Sequence, residues 1–161
     1  MELPPTPTPS RHTVRVPFTV ALSHRFAQLW RKNPSDTKAA GDFGELLAAW
    51  YLRKYHGYKI LARQWEAEHG EIDILARDHD TLVFVEVKTR SGEEYGRAAA
   101  AVNASKRRNL SRAALEYLRR LDKPDIFFRF DIVEVVKADL PGRFECRLIE
   151  KAFELSAPYR Y

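Results

Sequence analysis

The stretch Thr81 to Thr89, T-L-V-F-V-E-V-K-T, restricts the fold more than any other part of this chain. Its solid apolar centre marks a strand buried on both faces. By the period of two, Leu82, Phe84, Glu86, Lys88 and Arg90 share one face, and Val83, Val85 and Val87 share the other. A central strand has no ordinary place for a carboxylate and an ammonium among apolar neighbours, because burying an unpaired charge costs several kcal/mol, on the order of 3–5. The bland alternative is a solvent-facing Glu86–Lys88 pair, with Asp73 in a turn.

Around this strand the pattern of elements is regular. A helix is expected from Lys38 to His56, with Phe43, Leu46, Leu47, Trp50 and Tyr55 on its buried side and Gly57 as its stop. Strands are expected at Tyr58–Arg63 and Glu71–Arg77, separated by a polar loop through His69 and Gly70. Asp78-His79-Asp80 makes the tight connection to Thr81–Thr89. A loop from Ser91 to Gly96 precedes a long helix, Asn103–Leu121. Two more strands follow, Ile126–Lys137 and Phe144–Ile149, and Ala152 and Phe153 tuck the tail into the core. Helix, three strands, helix, two strands predicts an α/β fold: a mixed central sheet of about five strands flanked by helices. The 161 residues bury roughly 70% of the unfolded surface without a disulfide or zinc staple. The single cysteine, Cys146, excludes an internal disulfide and a multi-cysteine zinc site.

The preceding strand repeats the anomaly. Glu71 and Asp73 are expected on one face, Ile72 and Ile74 on the other. A hairpin brings Asp73 beside Glu86 at one end of the sheet. Carboxylates converging next to a lysine suit a hard cation such as Mg²⁺ or Mn²⁺, which takes oxygen ligands. Asp73 and Glu86 would hold the metal, helped by the backbone carbonyl of Val87, with Glu45 adding a ligand through water from behind Gly41 and Gly44. Lys88 would orient or help deprotonate the attacking water, or stabilise the pentavalent phosphorane.

These residues resemble a known pattern. Asp73 followed by Glu86-Val87-Lys88 is similar to the PD-(D/E)xK signature of restriction-endonuclease-like nucleases, with Ile72 where a proline often stands. The ordered set Gly41-x-x-Gly44-Glu45, Gly70-Glu71-Ile72-Asp73, Phe84-Val85-Glu86-Val87-Lys88-x-Arg90, Ala101-Val102 with Lys106, and Arg129-Phe130-Asp131 resembles the YraN family of uncharacterised bacterial proteins, from about residue 41 to Phe153. The resemblance implies a restriction-endonuclease-like α/β core, similar to archaeal Holliday-junction resolvases. It also implies Glu45, Asp73, Glu86 and Lys88 as the set that binds Mg²⁺ and hydrolyses a phosphodiester. A homodimer is the arrangement those resolvases use.

Charge points the same way. The net charge is +5, and residues 1–40 alone carry +4 of it. Residues 1–37 read as a basic, proline-rich arm: a flexible stretch over 1–16, then a short amphipathic helix from Phe18 to Trp30. That helix either packs on the main domain or a second subunit, or contacts a membrane surface or DNA. Residues 38–161 are expected to form an endonuclease-like nucleic-acid-binding domain. Its helix Asn103–Leu121 carries Lys106, Arg107, Arg108, Arg112, Arg119 and Arg120 against Glu116 alone, an excess suited to phosphates. Lys106, Arg107, Arg108, Arg112 and Arg90 are the expected DNA contacts; a solvated helix face is the alternative. No apolar run nears the roughly 20 residues of a membrane span, and the N-terminus lacks a signal-peptide pattern. The expected address is the cytoplasm. Two functions remain in view: a metal-dependent endonuclease acting on DNA, including branched or damaged DNA, and a non-catalytic nucleic-acid-binding module that keeps the nuclease fold.

Overall fold

Four residues of the arm complete the sheet. In a computed structural model, which describes residues 13–16, 37–91, 102–122, 124–137 and 143–161, β1 (Thr13–Val16) precedes helix α1 (Thr37–His56). Strands β2 (Lys59–Ala67), β3 (Gly70–Asp78) and β4 (Thr81–Ser91) follow, then α2 (Ala104–Arg120), β5 (Phe127–Lys137) and β6 (Phe144–Phe153). The order across the sheet is β1-β6-β5-β4-β3-β2. Only β4 and β5 run parallel among the described strands, joined through α2; the other pairs are antiparallel. The mixed α/β sheet and its two flanking helices match the expectation, with one correction. Thr13–Val16, read as part of a flexible stretch, pairs with β6 from Thr13↔Arg147 to Val16↔Phe144. The alternation T-V-R-V suits an extended edge, and β6 offers it a free backbone ladder.

Each helix covers one face. Phe43, Leu47, Ala48, Tyr51 and Leu52 of α1 bury against Ile74, Val83, Val85, Val133 and Val135. Leu110, Ala113, Ala114 and Leu118 of α2 bury against Ile72, Leu75, Phe84, Phe130 and Ile132. Each large side chain so buried is worth about 1.5–3 kcal/mol, which is why the valine run of β4 can be apolar on both sides. Leu46 is half-buried, and Tyr55 is 42% exposed instead of buried. The Tyr55 ring stacks edge-on against Trp50 on the helix's own surface. Gly57 ends α1 with φ of +72°, the left-handed conformation that only glycine takes at no steric cost. No helix among the described residues is long and apolar enough to cross a membrane.

Asp131, wholly buried on β5, ties the α1 side of the sheet together. It accepts from Arg129 Nε at 3.0 Å, from the Tyr58 hydroxyl at 3.1 Å and from the Lys151 backbone N–H at 2.9 Å. Arg129 also donates to Tyr58 and to Asp78. Every member is satisfied, which is the condition for a buried polar network to hold.

Candidate functional site

Glu45 is aimed by a close approach of helix to sheet. A Cβ on the neighbouring Gly44 would stand 1.8 Å from Thr89 Oγ1, so α1 can lie this near β4 only because Gly44 has no side chain. Glu45 is half-buried, and one of its oxygens, Oε2, lacks a hydrogen-bond partner. Burial, and then the charge of Asp42, pushes its carboxyl up to about 7 against the pull of Arg63.

Asp73 marks a break in the sheet. The β3–β4 ladder runs from Asp78↔Thr81 to Ile74↔Val85 and ends there. Beyond it, Asp73 Oδ2 accepts the Val87 N–H at 2.7 Å, in place of a backbone carbonyl. Ile72 and Ile74 were expected to share a face; Ile74 packs under α1 and Ile72 under α2. The cause lies on β2. Arg63 pairs with Ile74 and Trp65 with Ile72, which leaves Gln64 across from Asp73. Gln64 has φ of 50°, a left-handed residue that twists both strands, and its amide donates to Asp42 Oδ1 on α1 at 2.9 Å. The same twist carries β2 through residues 64–67, expected as loop.

Glu86 is 2% exposed and holds two ammonium groups. Lys88 Nζ lies 2.6 Å from Oε1, and Lys106 Nζ lies 3.3 Å from Oε2. The second contact is an ion pair without hydrogen-bond alignment, and Oε2 has no hydrogen bond. Lys106 reaches Glu86 from the first turn of α2, where Asn103 caps the helix by accepting the Lys106 N–H at 2.9 Å. Burial works to lower the pKa of Lys106, but Glu86 and Asp73 outweigh it and leave that pKa raised. Asp73 is pushed up to about 7 by burial and then by Glu86, against the Val87 N–H and Lys106; Glu45 adds to the push. Three carboxylates therefore share one neighbourhood. Among the described residues, though, no three His, Cys, Asp or Glu side chains form a ready-made metal cage; ammonium groups stand against Glu86 instead.

The expected DNA contacts divide. Lys106 belongs to the cluster itself and also lines an open pocket of about 350 Å³ with Glu66, Gly70, Glu71 and Asn109. Arg108 is exposed and Arg112 half-buried. Arg107 is engaged structurally: its Nε donates to the Val102 carbonyl at 2.8 Å, and its guanidinium lies 5.6 Å from the Phe153 ring centre. Arg90 is half-buried on β4. Tyr95, Gly96, Ala101 and the amphipathic stretch Phe18–Trp30 lie outside the described residues. One residue escaped the sequence reading. Glu134 on β5 is wholly buried with both carboxylate oxygens unpartnered. Its signal was available: F-D-I-V-E-V-V places a charge in an apolar strand, as V-E-V-K does.

Fold and site together define an α/β protein with a mixed sheet and a buried carboxylate–lysine cluster where β3 parts from β4. The sequence profile of the uncharacterised protein family UPF0102 matches residues 44–135, which include every member of that cluster. A UPF0102 protein of Symbiobacterium thermophilum is 47% identical over 117 residues, 73% of this chain and 98% of the relative. One from Clostridium botulinum is 40% identical over 73% of this chain and 96% of its own length. One from Geobacter metallireducens is 44% identical over 74% and 95%. The chain belongs to UPF0102.

Proposed function

We propose that the protein is a metal-dependent endonuclease that hydrolyses phosphodiester bonds in DNA, with branched or damaged DNA as its substrates and a restriction-endonuclease-like core of the PD-(D/E)xK kind, the placement suggested by its likeness to the YraN proteins. The observation that carries the reading is the buried cluster itself: Glu86 at 2% exposure beside Asp73, with Lys88 two residues on. A scaffold gains no stability from acids whose charge is resisted, and acids repel a bound phosphate backbone. They suit a hard cation, Mg²⁺ or Mn²⁺. The donor set fits one: one oxygen each on Glu86 and Glu45 that accepts no hydrogen bond, and an Asp73 carboxyl that burial and Glu86 keep from ionising easily.

Asp73, Glu86 and the Val87 backbone would hold the cation, with Glu45 behind them through water. When bound, it supplies an acidified water and charge to offset that on the attacked phosphate. Lys88 then orients the water or meets the developing charge. Lys106, Arg90, Arg108 and Arg112 take the phosphates on either side. Metal-dependent cutting of labelled four-way-junction, flap, single-stranded or duplex DNA by the parent, and none by identically purified Glu86→Gln, is the expected result. Binding without cutting under Mg²⁺ and Mn²⁺ overturns it. That result belongs to the second reading, a nucleic-acid-binding module, which one observation favours: Lys88 and Lys106 already neutralise Glu86.

A further inference from the structure

Glu134 is wholly buried in β5, between Ile132 and Val136 on its own strand face, and neither of its oxygens has a hydrogen-bond partner. A buried carboxylate without a partner is among the most unfavourable features a core can hold. Its cross-strand neighbours are cationic: Lys88 on β4 and Arg147 on β6. Adjacent strands lie about 4.8 Å apart, within the span of a lysine's four-carbon stem. Lys88 nevertheless turns to Glu86, at 2.6 Å, where Lys106 also stands at 3.3 Å. Glu86 holds two ammonium groups, and Glu134 holds none among the described residues.

We propose that Glu134 is a second seat for the Lys88 ammonium, taken when a divalent cation occupies Glu86 and Asp73. The inference rests on the metal-dependent reading above. A cation at Glu86 repels both lysines. Lys106 starts from a helix terminus at the surface and can swing outward, whereas Lys88 is rooted in a central strand. Glu134, one strand away on the same face, receives it. The move frees Glu86 Oε1, satisfies a buried carboxylate, and keeps Lys88 charged and fixed beside the reacting phosphate. Glu134 is thus a positioning residue that acts through Lys88.

The test is a double-mutant cycle read by calorimetric titration of Mn²⁺ into the full chain: parent, Glu134→Gln, Lys88→Ala and the double variant. Glu134→Gln is expected to weaken Mn²⁺ binding about fivefold, because Lys88 then stays on Glu86. In the Lys88→Ala background the same change is expected to shift affinity less than about twofold. Equal weakening in both backgrounds overturns the proposal, as does unchanged affinity in Glu134→Gln; either leaves the metal-dependent reading standing. A parent that binds no Mn²⁺ defeats that reading, and this inference with it. Thermal unfolding without metal checks the fold of each variant. Should Glu134→Gln fail to fold, Glu134→Leu, apolar like its neighbours Ile132 and Val136, replaces it in the same cycle.

Discussion

At Glu86 the attraction of two lysines offsets the loss of water around a carboxylate, so its partners have separable effects. Glu86→Gln and Lys88→Ala are each expected to lower DNA cleavage at least about a hundredfold, the size of one main electrostatic or acid–base element; folded variants that cut as well as the parent remove the assignment. Asp73 gives a pH-dependent counterpart. Its carboxyl is pushed up to about 7 from an ordinary 3.8. Between those values the folded chain keeps a proton that the unfolded chain has lost, so stability falls as pH rises through the window, and the cost is complete above about 7. Without metal, Asp73→Asn is therefore expected to gain on the parent in unfolding temperature from pH 5 to pH 8, by about 3 °C or more. An equal difference at both pH values contradicts the burial account. Divalent cation works in the opposite direction: it should raise the parent's midpoint at pH 8, and not that of Glu86→Gln. The cluster was legible in the sequence because charges in an apolar strand stand out. Glu134 has the same signature but lies outside the motif Arg129-Phe130-Asp131 of its strand. The hold of Lys106 on Glu86 has no local signature at all, since it depends on how α2 crosses the sheet.

Among the elements, α1 and α2 carry the sharpest expectations. Gly44→Ala places a methyl 1.8 Å from Thr89 Oγ1, and overpacking of this kind costs about 1–3 kcal/mol. The variant is expected to melt earlier and, with Glu45 moved off β4, to bind Mn²⁺ more weakly; an unchanged midpoint shows that α1 does not need the close approach. On α2, replacing Arg107, Arg108 and Arg112 together by Ala should weaken DNA binding and flatten its salt dependence. The structure divides the trio. Arg108→Ala alone should reduce the salt slope with no loss of stability, while Arg107→Ala should lower the melting temperature through the lost Val102 and Phe153 contacts. An unaltered slope in the triple variant makes the basic face a solvated one. Apolar periodicity and turn residues placed both helices and all five long strands within a few residues. They missed the exchange of faces at Ile72, because strict alternation holds only along a regular strand, and Gln64 gives no local warning that it adopts φ of 50°.

For the whole molecule, the sheet has two outer edges of different kinds. The β2 edge is interrupted by the register shift between Ile60 and Ala62 and by Gln64, irregularities that discourage pairing with another chain. The β6 edge is covered by β1. Removing residues 1–37 is expected to weaken DNA affinity through the lost positive charge while cleavage persists. It also uncovers β6, so the shortened protein should self-associate in light-scattering measurements at concentrations where the full chain does not. A truncated form that scatters like the parent makes β1 dispensable as an edge cover. The arm's place in the sheet was not visible from its sequence, since prolines and basic residues mask a four-residue strand whose partner lies near the other end of the chain. That separation has a consequence during synthesis. Thr13 leaves the ribosome long before Arg147, its partner in the ladder. At about 5–20 residues per second, β1 waits roughly 7–30 s for β6, and a nascent chain must carry its first strand unpaired until its last is made.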